Sequence, residues 1–325
     1  MKTNFHFTPF TPAKLLEYTT VREGEIRLGQ TIGCSIDDEH IKFVIVGIEE
    51  SIGPQANHGL SGSENAFNAF LKRFLNMQSN AFFAGSTTAI CGSISQNCTF
   101  SSIDEARTLT KELDELVEKT IETILLKGKL PIVIGGGHNN AFPIIAANYN
   151  INREEIAVLN LDPHADCRKL EGRHSGNPFS YAQANGYLDT YTVLGLHKSY
   201  NSAFLLDFLL ENSFQHTFFE DYIGKRKLFY SDIKKYCDLY TTFNHVGIEL
   251  DLDAIQHMPS SAFSPSGITL EDARFYIKTA AVLPNLRYLH LPEGAPTNSQ
   301  EEKIVGKALA YLVWDFLEIR NNILR

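Results

Sequence analysis

The chain has 325 residues, 43% apolar and 21% charged, a mix that excludes disordered, collagen-like and coiled-coil classes. Its 29 Lys+Arg against 38 Asp+Glu leave a net charge of −9, and no basic run exceeds Lys225-Arg-Lys227, which argues against nucleic acid and membrane partners. The length allows about two domains at roughly 150 residues each, but no stretch reads as a linker, and one domain is the simpler reading.

Residues 1–40 are mixed and polar, broken by Gly24, Gly29 and Gly33, and read as an N-terminal extension packed on a single domain of residues 41–325. The opening MKTNFHFTPF lacks the roughly 7–15-residue apolar stretch of a secretory signal. No apolar run approaches the roughly 20 residues of a membrane span. Five cysteines, Cys34, Cys91, Cys98, Cys167 and Cys237, form no CxxC pair, and this odd set of separated thiols points to a reducing compartment. A cytoplasmic location is expected.

From residue 41 onward strands and helices alternate. Residues 41–47 form a β-branched run, hence a buried strand. Phe67, Phe70, Leu71, Phe74 and Leu75 recur at helical spacing, and Ser102-Ile-Asp-Glu105 reads as a capping box opening a long helix that Gly128 stops. Further strands are expected at 130–134, 156–161, 192–196, 217–219, 245–250 and 287–291. Helices are expected at about 139–148, 201–211, 231–240, 269–282 and 300–321, and residues 163–178 read as a long loop. This alternation predicts a parallel sheet covered on both faces, with the ligand site at the carboxyl ends of its strands.

Three strand ends carry unusual chemistry. Gly135-Gly-Gly137-His138 could cradle phosphate, but it lacks the Walker lysine and the GxGxxG spacing. The other use of such a run is to let the backbone pass a crowded site, leaving His138 at its rim. In Asp162-Pro-His164-Ala-Asp166, residues i, i+2 and i+4 share one side of an extended chain. Asp251-Leu-Asp253 repeats the pattern after another strand. Four carboxylates and two imidazoles gathered there would repel or sit unsatisfied unless cations join them. They suffice for two divalent ions, with Asp162 and Asp251 bridging. Oxygen-rich donors with some imidazole suit Mn²⁺, with Zn²⁺, Co²⁺ or Fe²⁺ possible, and two such ions can make a shared water hydroxide at neutral pH.

On these motifs the sequence resembles the ureohydrolase family of arginase, agmatinase and formimidoylglutamase, from about Val46 to about Leu317. The resemblance implies a three-layer α/β/α sandwich around an eight-stranded parallel sheet. It implies one Mn²⁺ on His138, Asp162, Asp166 and Asp251 and another on Asp162, His164, Asp251 and Asp253. The family's late Glu-x-x-Pro matches Glu293-Gly-Ala-Pro296, where the glutamate would face the amidino group. Two departures leave these ligands intact: Pro163 stands where Ala is usual, and Glu249 where Ser is common.

The loop separates the branches. After Ser175-Gly-Asn177-Pro178, Phe179 stands where arginases have a catalytic histidine, and Arg168 where they have asparagine. Both features, with Gly135-Gly-Gly-His-Asn-Asn-Ala-Phe142, look like formimidoylglutamase. The stretch Asn57-His-Gly59 to Gly62 resembles that branch more loosely. N-formimidoyl-glutamate carries two carboxylates and no free ammonium, and Arg168 and Arg173 suit such a dianion through bidentate pairing. His174, Ser175, Asn177 and Phe179 complete the expected substrate-binding set. Cys167 is expected to turn away from the ions, and Trp314 to serve as core or subunit contact.

The leading expectation is an enzyme of histidine degradation that hydrolyses this small amidine to glutamate and formamide. Asp166 would hold the attacking hydroxide and carry a proton to the leaving nitrogen, and Glu293 would bind the amidinium. An arginase- or agmatinase-type guanidino hydrolase, a metal-dependent deacetylase and a silent metal-binding homologue are the alternatives. The family is often trimeric or hexameric, so a homo-oligomer is expected.

Overall fold

The computed structural model describes residues 3–323. Nine strands form one sheet: β1 (Phe5–Pro9), β2 (Phe43–Glu49), β3 (Thr88–Gln96), β4 (Leu130–Ile134), β5 (Ile156–Leu161), β6 (Leu188–Leu196), β7 (Gln215–Phe218), β8 (Val246–Leu250) and β9 (Leu286–Leu291). Their order is β1-β3-β2-β4-β9-β8-β5-β6-β7. Every pairing is parallel except that of β1 with β3.

Period-two alternation divides the apolar side chains between two faces. Phe43 and Ile45 of β2 and Ala157, Leu159 and Leu161 of β5 join one core. Val44, Val46 and Ile48, with Ile156 and Val158, join the other. The first face is covered by helices Ala66–Phe74, Arg226–Tyr240, Leu270–Ala280 and Ser299–Ile323. The second is covered by Ile103–Leu126, Ala141–Asn152, Pro178–Ala184 and Ala203–Glu211. This is the expected three-layer sandwich.

The sheet has one strand more than the eight that the resemblance implies, because the N-terminal extension supplies β1, and two more than the pattern shows, since β3 is not read from it either. Phe5 to Pro9 register against Gln96 to Gly92, placing β1 at the edge, where proline's missing N–H is tolerated. The expected capping box at the long helix forms only in half. Ser102 accepts the Glu105 N–H, but the Glu105 carboxylate turns to Ser101 instead.

The topology sets four strand ends side by side. β4, β9, β8 and β5 are consecutive in the sheet, although β4 and β5 are consecutive in sequence. Ile134 pairs with Leu291, and Leu161 with Leu250, so these strands stop level. The ladder runs one residue further, through Gly135 N–H to Leu291 O and Asp251 N–H to Leu161 O. The chain therefore leaves the sheet at one height, bringing His138, Asp162, Asp251 and Glu293 to one crevice. Among the described residues, no helix is long and apolar enough to cross a membrane.

Candidate metal centre

The glycine run after β4 is explained by its neighbours. Gly135 and Gly136 have φ of +86° and +68°, and a Cβ on Gly137 would lie 2.3 Å from Pro54 Cδ. The concavity they form is filled by the buried Glu50. Its Oε1 accepts from Gly137 N–H (2.7 Å) and Asn140 Nδ2 (2.8 Å), and its Oε2 from Gly53 N–H (3.0 Å). A carboxylate of the chain itself occupies the place a phosphate would take.

His138 points its Nδ1 at three carboxylates. The distances are 3.0 Å to Asp162 Oδ2, 3.0 Å to Asp166 Oδ2 and 3.1 Å to Asp251 Oδ2. Asp162 turns its other oxygen toward a second group, with His164 Nδ1 3.6 Å from Asp162 Oδ1 and 3.2 Å from Asp253 Oδ2. Within each group the donor atoms lie within 4.8 Å of one another. Asp162 thus serves both groups with one oxygen each. Asp251, expected to bridge as well, sits with the first group, and its Oδ1 accepts the Asp253 N–H at 2.8 Å.

The electrostatics call for cations. Burial opposes protonation of His138, but its contacts with Asp162, Asp166 and Asp251 outweigh this and hold its pKa well above the ordinary histidine value. His164 is likewise raised against burial, chiefly by the charge of Asp253. Asp251 is pushed well above the usual carboxylate range by burial and by the charges of Asp253 and Asp162. Buried Asp253 Oδ1 has no hydrogen-bond partner among the described residues. Six oxygen and imidazole donors in two overlapping groups fit a pair of divalent ions.

Asp166 and Glu293 share a backbone feature invisible in the sequence. Their φ angles are +49° and +69°, the left-handed region that residues with a Cβ seldom enter. Glu293 Oε1 accepts the His138 N–H at 2.7 Å, and Ser261 Oγ donates to its Oε2. Burial, reinforced by the Asp251 charge, pushes the Glu293 carboxyl up to about 8.

Above these groups opens a cavity of about 410 Å³. His164, Asp166, Asp251, Asp253 and Glu293 line it, with Arg168 and Ser175 from the loop. Arg168 is exposed and makes no ion pair among the described residues. Asn57, His58, Tyr200 and Ser261 also line the cavity. The sequence alone does not assign these four to the site. Tyr200 stacks on His164 with centroids 5.4 Å apart, and no local spacing signalled that.

The other expected substrate contacts lie elsewhere. Arg173 is buried and engaged: Nε meets Asp114 Oδ2 at 2.8 Å, Nη1 donates to Asn177 Oδ1 at 2.7 Å, and Nη2 donates to Asn139 O at 2.7 Å. Its guanidinium also lies over Phe142 and Tyr181, 4.6 and 4.9 Å from their centroids. Arg173 is thus tied to the loop and the long helix, and it does not line the cavity. Asn177 braces the loop, accepting the His174 N–H at 3.1 Å and donating to Gly172 O at 2.7 Å. The buried His174 ring accepts the Gly176 N–H through Nδ1 at 3.1 Å. Phe179 packs behind the cluster, edge-on to His138 at 5.3 Å and stacked on Tyr191 at 4.1 Å. Cys167 is fully buried, its thiol donating to Ala165 O. Trp314 packs edge-on against Phe83.

The arginase-family profile matches residues 41–318. The chain belongs to the arginase family. The solved formimidoylglutamase of Bacillus subtilis superimposes with a TM-score of 0.78 at 16% identity, covering 93% of this chain and 94% of that one. Trypanosoma cruzi formiminoglutamase with Mn²⁺ gives 0.74 at 20% identity, covering 90% and 99%. At these identities the superposition shows the arginase fold. Among curated relatives, the Corynebacterium efficiens formimidoylglutamase is 38% identical over 95 residues, 29% of this chain and 30% of that protein. The Streptococcus gordonii formimidoylglutamase is 24% identical over 182 residues, 54% and 52% of the two chains. The matches thus span about a third to a half of the length of these curated relatives.

Proposed function

We propose that this protein hydrolyses N-formimidoyl-L-glutamate to L-glutamate and formamide, using two Mn²⁺ ions. The observation that carries the reading is Arg168, exposed and without an ion pair among the described residues, lining a cavity beside two donor groups that share Asp162. Its relatives named formimidoylglutamase support the same choice.

His138, Asp162, Asp166 and Asp251 would hold one ion, and Asp162, His164 and Asp253 the other. When bound, such a pair lowers the pKa of a water enough to make it nucleophilic at neutral pH. The chain's own groups do the rest. Glu293, its two oxygens held by the His138 N–H and the Ser261 hydroxyl, receives the amidinium N–H groups beside the cluster. Asp166 accepts a proton from the attacking water and returns it to the α-nitrogen as the C–N bond breaks, and the amidinium's own extra proton ends on the released α-amine, so that amidinium plus water gives the α-ammonium of glutamate plus formamide. Arg168 takes a substrate carboxylate through its planar fork. Asn57 Nδ2 and Ser175 Oγ offer donors to the second carboxylate, a task expected of Arg173.

A substrate panel tests the reading: formimidoylglutamate, arginine, agmatine and guanidinobutyrate with Mn²⁺ present, following glutamate and urea. Turnover of formimidoylglutamate alone supports it. Turnover of a guanidino compound with formimidoylglutamate inert overturns it.

A further inference from the structure

We propose that Glu249 and His290 form a buried support for the metal centre. They hold the proton of His138 on Nε2 and so keep Nδ1 as the donor to the ion. The inference rests on the two-ion reading of the site. It concerns positioning residues, since neither side chain lines the cavity.

The two residues are cross-strand partners in β8 and β9. Both side chains are fully buried, and His290 Nδ1 lies 2.6 Å from Glu249 Oε2. The same Oε2 is 3.5 Å from His138 Nε2, a buried nitrogen that has no hydrogen bond among the described residues and faces this carboxylate across that gap. The opposite nitrogen of His138, Nδ1, faces Asp162, Asp166 and Asp251. The chain of groups therefore runs His290, Glu249, His138, carboxylate cluster, through buried side chains.

A neutral imidazole has one N–H and one lone pair. If Nδ1 gives its lone pair to an ion, the proton must sit on Nε2, and Nε2 faces a carboxylate. A hydrogen bond from the free nitrogen of a metal-bound histidine fixes its tautomer and ring orientation and raises its basicity as a ligand. Glu249 itself would be a buried, uncompensated charge without a donor, and His290 supplies that donor. Period two explains the delivery: Glu249 and Asp251 lie on the same side of one extended segment, so one strand carries both a ligand and the support of another ligand. The glutamate that departs from the family's common serine thus comes with a histidine placed to receive it.

The same three side chains place donor atoms within 4.8 Å of one another, as an ion site would. The 2.6 Å contact between His290 and Glu249 argues against an ion there, because two ligands each about 2.0–2.2 Å from a tetrahedral ion lie further apart than that.

The test measures metal affinity rather than turnover. Metal-free wild type, Glu249→Gln, His290→Phe and His290→Asn are titrated with Mn²⁺ against a chromophoric chelator, with folding followed by circular dichroism. Glu249→Gln and His290→Phe are expected to weaken one of the two ions by about 10–100-fold, leaving the other within about threefold. His290→Asn keeps a side-chain N–H near the position of Nδ1 and is expected to recover most of the loss, which a general loosening of the core would not allow. In ¹⁵N-histidine-labelled protein loaded with diamagnetic Zn²⁺, His138 should carry its proton on Nε2. Unchanged affinity for both ions in Glu249→Gln, a third bound ion in wild type, or a proton on His138 Nδ1 would each overturn the proposal. Wild type that binds two ions but hydrolyses no formimidoylglutamate would sink the proposed function and leave this inference standing. Wild type that binds no ions sinks both.

Discussion

Arg173 spends its charge on Asp114: the two meet at 2.8 Å, buried, between the loop after β5 and the helix Ile103–Leu126. Removing one partner from such a pair leaves the other charged and unsolvated, at a typical cost of about 3–5 kcal/mol. Arg173→Met should therefore lower the unfolding free energy by that order, read from the urea midpoint. KM of the residual folded enzyme should stay within about threefold. A large rise in KM without loss of stability would return Arg173 to the substrate.

Arg168 should behave in the opposite way. It is exposed and unpaired among the described residues, so Arg168→Met should leave the melting temperature unchanged. KM for formimidoylglutamate should rise about thirtyfold, the equivalent of about 2 kcal/mol. Arg168→Lys should recover only part of this, since an ammonium cannot form the bidentate fork. Steady-state kinetics with metal content as the control decide it.

The shared oxygens of Asp162 give the metal prediction its form. Asp162→Asn should lose both ions, whereas Asp253→Asn should weaken chiefly the one at His164. Metal analysis after gel filtration counts the ions. Wild type should also melt higher with Mn²⁺ added, because ligand bound only to the folded state contributes RT ln(1 + [L]/Kd). Two ions retained by Asp162→Asn would contradict the arrangement.

His174 predicts a pH effect away from the metal cluster. Burial, with the Arg107 charge next, depresses its pKa from 6.5 to about 4. Between those values the unfolded chain binds the proton that the folded chain refuses, so stability rises with pH across that window and is lost as pH falls through it. The shift corresponds to on the order of 3 kcal/mol at full protonation. His174→Gln should flatten this part of the stability curve, measured by urea unfolding at pH 4–7. An unchanged slope would mean that other groups carry it.

The parts legible in the sequence were those set by local period. Asp162, His164 and Asp166, or Asp251 and Asp253, converge because alternate residues of an extended chain share a side, and a strand end before each tells where that side faces. Arg173 misled because its partner, Asp114, comes from a helix 59 residues away in sequence. β3 escaped notice because Gly92 and two serines dilute its apolar pattern, and β1 because Pro9 ends a five-residue edge strand. His290 gave no sign of a role, since only the register of β8 with β9 sets it against Glu249.

Glu50 has a consequence for how ions enter and leave. Its carboxylate ties Gly53, Gly137 and Asn140 together beneath His138, without help from any ion. The floor of the centre is thus fastened by the protein itself. Stripping with a chelator should leave a folded chain with its ligands still in place. One divalent metal could then be exchanged for another by simple dialysis, with no refolding step between.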